Sequence, residues 1–205
     1  ARNDHRLDAI ANETPEDDFQ IHDSYYDHTD AEHDINCVFP ITRLREFADA
    51  GEIGGVAARH WSGFMGRIYN RTKVLEESAP AFVAKLNEDA VDILLAVPAW
   101  PLDHQTVGLV CRVAEEAGIA TVCVSTGRDL TVQVLPPRSA FVNFPMGNNF
   151  GAPGDVERQS EIMRTALAMI HETEQAGRLI DLPYEWSGPF EYFTGRGKKT
   201  AEAAS

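Results

Sequence analysis

The sequence predicts an α/β fold, a three-layer sandwich around a mostly parallel sheet. "VDILLAVP" (91–98) and "IATVCVST" (119–126) are apolar runs of strand length, and "DHQTVGLVCRVAEEAG" (103–118) between them has helical periodicity. A strand, a helix and a strand in this order predict two parallel neighbours. "SAFVNFP" (139–145) adds a third strand, and "DVERQSEIMRTALAMIHETEQAG" (155–177) adds a long amphipathic helix. These elements together indicate a doubly wound, Rossmann- or flavodoxin-like sheet.

The elements before residue 55 are shorter. "INCVFPI" (35–41) predicts a strand or an extended piece. "TRLREFADAGEIG" (42–54) predicts a helix that has Thr42 as its N-cap and ends at Gly51.

The middle of the chain predicts a loop and two helices. "RHWSGFMGRI" (59–68) is interrupted by glycines, which indicates a loop. "TKVLEESAPAFVAKLNEDA" (72–90) predicts a helix that Pro80 bends or splits. The helix 103–118 is predicted to begin with Asp103 as its N-cap and to end at Gly118.

Composition and charge limit the possible functions. The 205 residues, 43% of them hydrophobic, allow one domain with a proper core. A net charge of −14 disfavours nucleic acids and anionic membranes, so small molecules and proteins remain as partners. No apolar run reaches the ~20 residues of a membrane helix. Three cysteines without a secretory signal predict reduced thiols in the cytoplasm, with Cys111 and Cys123 in the core.

Three regions differ in composition. Residues 1–34 are acidic and rich in histidine, with eleven Asp or Glu against Arg2 and Arg6. Such a segment buries little apolar surface alone, so we expect it to wrap on the domain or to meet a partner. Residues 35–182 are the α/β domain, and residues 183–205 are a tail that is aromatic before it is polar.

Ligands of open parallel sheets collect at the carboxyl ends of the strands. Here those ends are 98–104, 125–128 and 145–149, so three loops are predicted to share one edge. The substrate-binding candidates at this edge are Trp100, Pro98, Ser125, Arg128 and Gly147. For Trp100 the structural alternative is a packing residue.

Four side chains are candidates for catalysis. Asp103 and His104 lie together at the start of a helix, His60 lies in the predicted loop, and Cys37 lies where a loop meets a predicted strand. Imidazole titrates near neutral pH, and a carboxylate beside it can take part in proton transfer. Each has a structural alternative: Asp103 as a helix cap, the histidines as packed rings and Cys37 as a core thiol.

The acidic segment also carries imidazoles and carboxylates, which are ligands of zinc, iron and manganese. The predicted ligands are His22, His28, His33 and Asp34. Their spacing matches no compact metal motif, and a solvated acidic loop is the alternative. The cofactor is otherwise unknown, a divalent transition metal being the candidate.

Four blocks in the same order resemble the selenoprotein B component of the glycine, betaine, sarcosine and D-proline reductases. The blocks are "DHTDAEHDINCVFPITRLRE", "GEIGGVAARHWSGFMG", "VDILLAVPAWPLDHQTVGLVCRVAEEAGIATV" and "LPPRSAFVNFPMGNNFGAPGD". The resemblance runs from about Ile21 to His171, and the D-proline reductase subunit is nearest in size.

This resemblance implies a reactive corner after the strand 91–98. There the family carries selenocysteine or cysteine, followed three positions later by cysteine, and the selenolate attacks an activated amino-acid carbon so that a C–N bond is reductively cleaved. The matching positions here are Trp100 and Asp103, so both redox atoms are missing. The neighbouring His104 and the distant Cys37 agree with the family.

The resemblance further implies partner chains, because the family works as multi-subunit complexes. Its D-proline reductase subunit has a strand and a helix ahead of the part that matches Asp4 to Ile10. Either these elements are absent here or another chain completes the sheet, and the second possibility fits a family of multi-subunit complexes. A second subunit, a paralogue or a partner for the N-terminal half, is therefore expected.

The resulting prediction is a subunit of a hetero-oligomeric oxidoreductase that resembles amino-acid reductases. It would act on a small amino-acid-like or nitrogen-containing compound without selenol or thiol chemistry. Two alternatives stay open. One is a catalytically silent structural subunit that partners an active paralogue, and the other is a metal-dependent hydrolase or lyase on the same fold.

Overall fold

The computed structural model describes residues 4–22, 26–64, 68, 70–173, 175–193 and 198–200. The strands of this part of the chain form three sheets. The first pairs β1 (Leu7–Ala11) with β2 (Arg59–Gly63) antiparallel. The central sheet is parallel and holds, side by side, β3 (Ile93–Ala96), β4 (Ala120–Ser125), β5 (Arg138–Phe141) and β6 (Arg178–Asp181). Near the C-terminus, the backbone of β7 (Glu191–Phe193) pairs antiparallel with β8 (Lys198–Thr200).

Helices cover both faces of the central sheet. The α-helices of the described residues are α1 (Thr29–His33), α2 (Ile41–Asp49), α3 (Arg71–Lys73), α4 (Ala79–Glu88), α5 (Asp103–Glu116), α6 (Arg128–Val134) and α7 (Val156–Glu172). Val122 and Val124 of β4 share a buried cluster with α7, whereas Thr121 and Cys123 interact with Cys111 of α5. Successive side chains of a strand point to opposite faces, so α5 and α7 lie on opposite sides. The predicted three-layer α/β sandwich is confirmed.

The order of the strands follows the sequence. Cys123 lies opposite Ser139 and Arg138 opposite Arg178, so β4, β5 and β6 are consecutive neighbours. A doubly wound sheet reverses its strand order at one point. The described strands contain no such reversal, and the Rossmann or flavodoxin order therefore stays a prediction.

The local signals for helix ends are confirmed at two places. The Asp155 carboxylate accepts a hydrogen bond from the Arg158 N–H at 3.1 Å and caps α7. Gly118 follows α5 with a φ of 92°, a conformation that glycine adopts without a steric penalty.

Pro80 disturbs its helix as predicted. The chain winds as a π-helix over Val74–Ser78 before α4 begins, and Pro80 lies in the first turn of α4, where its missing N–H is tolerated.

The expectation of a strand at 35–41 is wrong, since Ile35–Cys37 forms a 3₁₀ helix. The Asp34 carboxylate accepts from the Asn36 N–H at 3.0 Å, and this local bond offers the backbone an alternative to extended pairing. The predicted cap at Thr42 is also wrong, because α2 begins at Ile41 with Pro40 in the N-cap position.

The expectation of a loop at 59–68 is wrong for its first half, which forms β2. A Cβ on Gly63 would lie 2.3 Å from the Arg6 carbonyl oxygen. This glycine therefore permits the close approach of β1 and does not break the strand. Residues 65–67 and 69 lie outside the described part.

The predicted cap at Asp103 is displaced by one residue. Leu102 occupies the N-cap position of α5, and Asp103 is the first residue of the helix. A carboxylate in the first turn still faces the positive end of the helix dipole.

The beginning of the tail packs on the α7 side of the sheet. The Trp186 ring lies 5.2 Å from that of Phe144, and the Arg158 guanidinium lies 4.1 Å from the centre of the Tyr184 ring. The division at residues 34 and 182 stays a prediction. Within the described residues, no helix has the length and apolar character needed to cross a bilayer.

Candidate functional site

Three loops meet at the carboxyl edge of the central sheet, and Asn149 joins them. Its side-chain N–H groups donate to the Pro98 carbonyl at 3.0 Å and to the Val124 carbonyl at 2.9 Å. Asn149 is fully buried, and its Oδ1 has no hydrogen-bond partner among the described residues. The loop after β5 is thus attached to the ends of β3 and β4, as the sequence predicted.

The corner after β3 is closed by hydrogen bonds to one carbonyl group. His104 Nδ1 lies 2.8 Å from the Trp100 oxygen, and the Asp103 N–H donates to the same oxygen at 3.2 Å. A carbonyl oxygen only accepts, so His104 carries its hydrogen on Nδ1. The lone pair of a neutral imidazole then lies on Nε2.

His104 Nε2 is a buried acceptor directed at the second loop. The residue is only 2% exposed, and Nε2 has no hydrogen-bond partner among the described residues. A Cβ on Gly127 would lie 2.7 Å from Nε2. Burial lowers the pKa of His104, although the bond to Trp100 and the charge of Asp129 oppose this effect. Lowering the pKa favours the neutral imidazole of His104, and a catalytic role for it stays a prediction.

Trp100 and Asp103 are both buried at the corner, with Trp100 6% exposed. An indole ring is not a nucleophile and has no reversible two-electron couple, which excludes covalent redox chemistry at residue 100. The ring can only shape the edge, while Asp103 offers a carboxylate beside the N-terminus of α5.

Ser125 and Arg128 make bonds that hold the second loop. The Ser125 hydroxyl lies 2.7 Å from Thr131 Oγ1 and accepts from the Gly127 N–H at 3.0 Å. Arg128 donates to the Asp181 carboxylate at 2.7 and 3.1 Å. In this structure both side chains therefore form hydrogen bonds within the protein, and their contact with substrate stays a prediction.

The acidic segment packs against the third loop. Gly147 has a φ of 90°, and a Cβ there would lie 2.5 Å from the Tyr26 ring. The side chain of Asn148 donates to Asp30 at 2.9 Å. Gly147 thus allows the N-terminal segment to lie close to the edge where the other candidates gather.

Cys37 belongs to a buried cluster that joins the acidic segment to the end of β3. Val97 and Ala99 pack against this cluster, and the Cys37 sulfur lies 3.9 Å from the Asp30 carbonyl. Burial, assisted by the charges of Asp34 and Asp30, raises the pKa of Cys37 to about 12. Its thiol is thus protonated at neutral pH, which makes it a poor nucleophile.

The other two cysteines are core thiols, as predicted. Both are buried and free. Burial raises the pKa of Cys111 to about 12, and it also raises the pKa of Cys123.

His60 lies on the small antiparallel sheet and not in a loop. Its Nε2 lies 2.9 Å from Asn12 Oδ1, and the Phe39 ring packs edge-on at 5.7 Å between ring centres. Burial lowers the pKa of His60, and the charge of Arg45 adds to this effect. These contacts are those of a structural histidine, and a catalytic role stays a prediction.

The proposed metal ligands make other contacts. His28 pairs with Glu32 at 2.8 Å, and His33 Nδ1 bonds to the Thr29 carbonyl at 2.7 Å. The exposed His22 lies at the end of the described segment 4–22. Among the described residues, no group of three or more His, Cys, Asp or Glu side chains is placed to hold a metal ion. A metal bound by His22, His28, His33 and Asp34 stays a prediction and would require these contacts to rearrange.

Asp34 is an anchor for the acidic segment. It accepts from the Gly154 N–H at 2.8 Å and from the Gln159 side chain at 2.7 Å. Burial works to raise the pKa of Asp34, but the hydrogen bonds from Gly154, Gln159 and Asn36 outweigh it and lower the pKa.

The sequence did not single out Asn149 or Gly127. The consecutive asparagines in "PMGNNFG" were the available signal, because polar amides among apolar and glycine residues after a strand indicate a loop with its own hydrogen bonds. No local signal pairs Gly127 with His104.

These features define an α/β protein with a polar site at the carboxyl edge of its parallel sheet, bordered by an acidic N-terminal segment. The chain is 34% identical over 169 residues to the D-proline reductase subunit gamma of Acetoanaerobium sticklandii, and the match covers 82% of this chain and 69% of that protein. The chain belongs to the family of that reductase subunit, as the four sequence blocks predicted. No protein-family model matches it, and no solved structure matches it.

Proposed function

We propose that this protein is a subunit of an amino-acid-reductase-type complex that acts on a small amino-acid-like or nitrogen-containing compound. The observation that carries the proposal is the relation to a D-proline reductase subunit over 82% of the chain. The chain does not itself supply the family's selenol or thiol chemistry, because Trp100 and Asp103 stand at the positions that the resemblance assigns to the redox pair.

Within this proposal, the corner after β3 binds the compound and transfers a proton. His104 Nε2 accepts a proton, Asp103 contacts a polar group of the compound, and the Trp100 ring forms one side of the binding site. Reductive cleavage of a C–N bond consumes two electrons and two protons, one proton for the carbon and one for the leaving nitrogen. The cysteines of this chain are buried thiols, so we assign the two electrons and two protons to a partner subunit whose thiol or selenol pair is oxidised to a disulfide or selenenyl sulfide. His104 Nε2 accepts one of these protons and passes it to the leaving nitrogen.

A second candidate is a catalytically silent subunit that supports an active paralogue. The observation that favours it is the burial of Trp100, which is 6% exposed and occupies the position of the family's nucleophile. In this case the chain takes no part in the chemistry and supports the active paralogue through its surface.

The first test is native mass spectrometry, with metal analysis, on the protein purified from its own source. A stoichiometric complex with a thiol- or selenol-bearing subunit is the expected result. A lone protein without such a partner would overturn the proposal of a reductase complex, and absence of bound metal would remove the prediction for His22, His28, His33 and Asp34.

The second test distinguishes a catalytic subunit from a catalytically silent one, and it uses the Asp103→Asn variant in the purified complex. We expect turnover to fall by at least about 10-fold, because a charged polar contact is lost, and thermal unfolding checks that the variant is still folded. Glu157→Gln is the matched control, since Glu157 is an exposed acid in the first turn of α7. Unchanged turnover in Asp103→Asn would instead identify the silent subunit.

A further inference from the structure

A cleft lies beside the corner, on the side of α5 that faces away from the sheet. Its volume is about 270 Å³, and it is bordered by α5, by α6 and by Arg71 at the start of α3. Leu102, Leu109 and Leu130 line it, and Arg71 and Arg112 contribute its positive charges. A second cleft of about 430 Å³ shares Arg71, Leu109 and Arg112, so the concave surface continues along α5.

The two arginines differ from most others in the described part of the chain. Arg59 pairs with Asp89 at 2.7 Å, Arg128 pairs with Asp181 at 2.7 Å, and Arg138 pairs with Glu115. Neither the Arg71 nor the Arg112 guanidinium makes an ion pair or hydrogen bond to another described residue. Both guanidinium groups are exposed and border the same cleft of a chain whose net charge is −14, so they are available to an external anion.

The two charges reach the cleft from separate elements. Arg71 begins α3, whereas Arg112 lies in the third turn of α5. An anion that lies between two positive charges is attracted to both of them. Guanidinium groups bind carboxylates through paired N–H donors, which is why arginine is common where carboxylates are recognised.

We propose that this cleft binds the carboxylate of a small compound and packs the apolar body of that compound against the leucine side chains. Arg71 and Arg112 hold the carboxylate, and Gln105 and Gln133, which also line the cleft, offer neutral hydrogen bonds. The volume is close to the lower end for ligand pockets, ~300 Å³. The inference rests on the proposed function, which names an amino-acid-like compound. It adds the site at which the carboxylate of that compound binds.

The test is a titration of the full chain with D-proline, with pyrrolidine as the control that lacks only the carboxylate. Binding is followed by calorimetry and by NMR of the arginine Nε–H groups. We expect D-proline to shift the signals of Arg71 and Arg112, and pyrrolidine to leave them unchanged. Arg71→Gln and Arg112→Gln should each weaken binding by about 10-fold or more, because a charge-assisted hydrogen bond is lost.

The matched control is Arg178→Gln. The Arg178 side chain is also exposed and has no ion pair or hydrogen bond to a described residue, but it begins β6 at the opposite end of the sheet. It should leave D-proline binding unchanged. Equal binding of pyrrolidine, an equal effect of Arg178→Gln, or signals that move with inorganic phosphate and not with D-proline would each overturn the carboxylate site.

The alternative to a small carboxylate in this cleft is a surface of a partner protein. If Arg112→Gln prevents assembly of the complex while D-proline leaves the arginine signals unchanged, the cleft is an interface and the proposal is overturned. Binding by the isolated chain and turnover of the complex are separate readouts, so failure of the carboxylate site is distinguishable from failure of the proposed function.

Discussion

At the scale of single residues, His104 combines burial with an acceptor atom that no described residue uses. Its folded-state pKa lies below the ordinary value of 6.5. The unfolded chain therefore binds a proton at pH values where the folded chain does not. The stability that His104 contributes is complete above about pH 6.5 and is lost as the pH falls toward the lower folded pKa.

His104→Asn tests this property. Asparagine can still donate to the Trp100 carbonyl, but it lacks the basic Nε2. We expect the wild type to lose more stability than the variant between about pH 7.5 and about pH 5.5, as measured by urea midpoints. Parallel losses in the two proteins would show that another group titrates, with His60 the next candidate because burial also lowers its pKa.

Gly147 is the residue that permits the acidic segment to approach the third loop. We expect Gly147→Ala to destabilise the protein by about 1–3 kcal/mol more than Gly154→Ala. Both glycines have positive φ, but a Cβ on Gly154 meets nothing within 4 Å whereas one on Gly147 meets the Tyr26 ring at 2.5 Å. Denaturant unfolding measures the difference.

Tyr26→Ala provides the second arm of this test. If the clash with Tyr26 is the cause, the penalty of Gly147→Ala relative to Gly154→Ala should shrink when Tyr26 is truncated. A penalty that is independent of Tyr26 would assign the whole effect to backbone strain and would remove the evidence for this contact.

At the scale of elements, α5 and α6 touch through a glycine. A Cβ on Gly108 would lie 2.5 Å from Val134 Cγ1. Alanine normally favours a helix over glycine by about 1 kcal/mol, yet we expect Gly108→Ala to destabilise the protein by about 1–3 kcal/mol because the contact is overpacked. Thermal or urea unfolding tests the sign.

A double-mutant cycle with Val134→Ala identifies the cause. The two substitutions should be less destabilising together than the sum of their separate effects, because the smaller side chain makes room for the new methyl group. Additive effects would contradict the α5–α6 contact, on which the shape of the proposed carboxylate cleft also depends.

At the scale of the whole molecule, the acidic segment is part of the domain and not a separate solvated arm. Asp34 joins α1 to the loop before α7 and to α7 itself. Its pKa is lowered in the folded state, so its contribution to stability is present above the unfolded pKa, about 3.9, and is lost as the pH falls through the folded pKa.

Asp34→Asn should therefore destabilise the protein at neutral pH by about 1–3 kcal/mol, since an amide cannot accept all the hydrogen bonds that the carboxylate accepts. It should also weaken the acid-induced loss of stability below about pH 4. Asp27→Asn is the control, because among the described residues the Asp27 carboxylate accepts hydrogen bonds only from the nearby Thr29. Urea midpoints from neutral to acid pH measure both effects, and equal losses in the two variants would contradict the anchoring role.

Local patterns were sufficient for the centre of the fold. The apolar runs that became β3 and β4, and the helical period between them, depend on neighbours in the chain. The strands β1 and β6 were missed because β1 pairs with a segment about 50 residues away and β6 has a short, mixed sequence. Pairing between segments that are far apart in the sequence is not visible in the pattern of neighbouring residues.

The sequence by itself determined the α/β class, the parallel pair, the family and the corner that holds Trp100, Asp103 and His104. Only the tertiary structure decided that His104 directs Nε2 at Gly127, that Asn149 joins the loops, and that Arg71 and Arg112 line the same cleft. The physical reason is that the first set follows from periodicity and residue identity, whereas the second requires segments distant in sequence to be packed together and their side chains oriented by burial and hydrogen bonding.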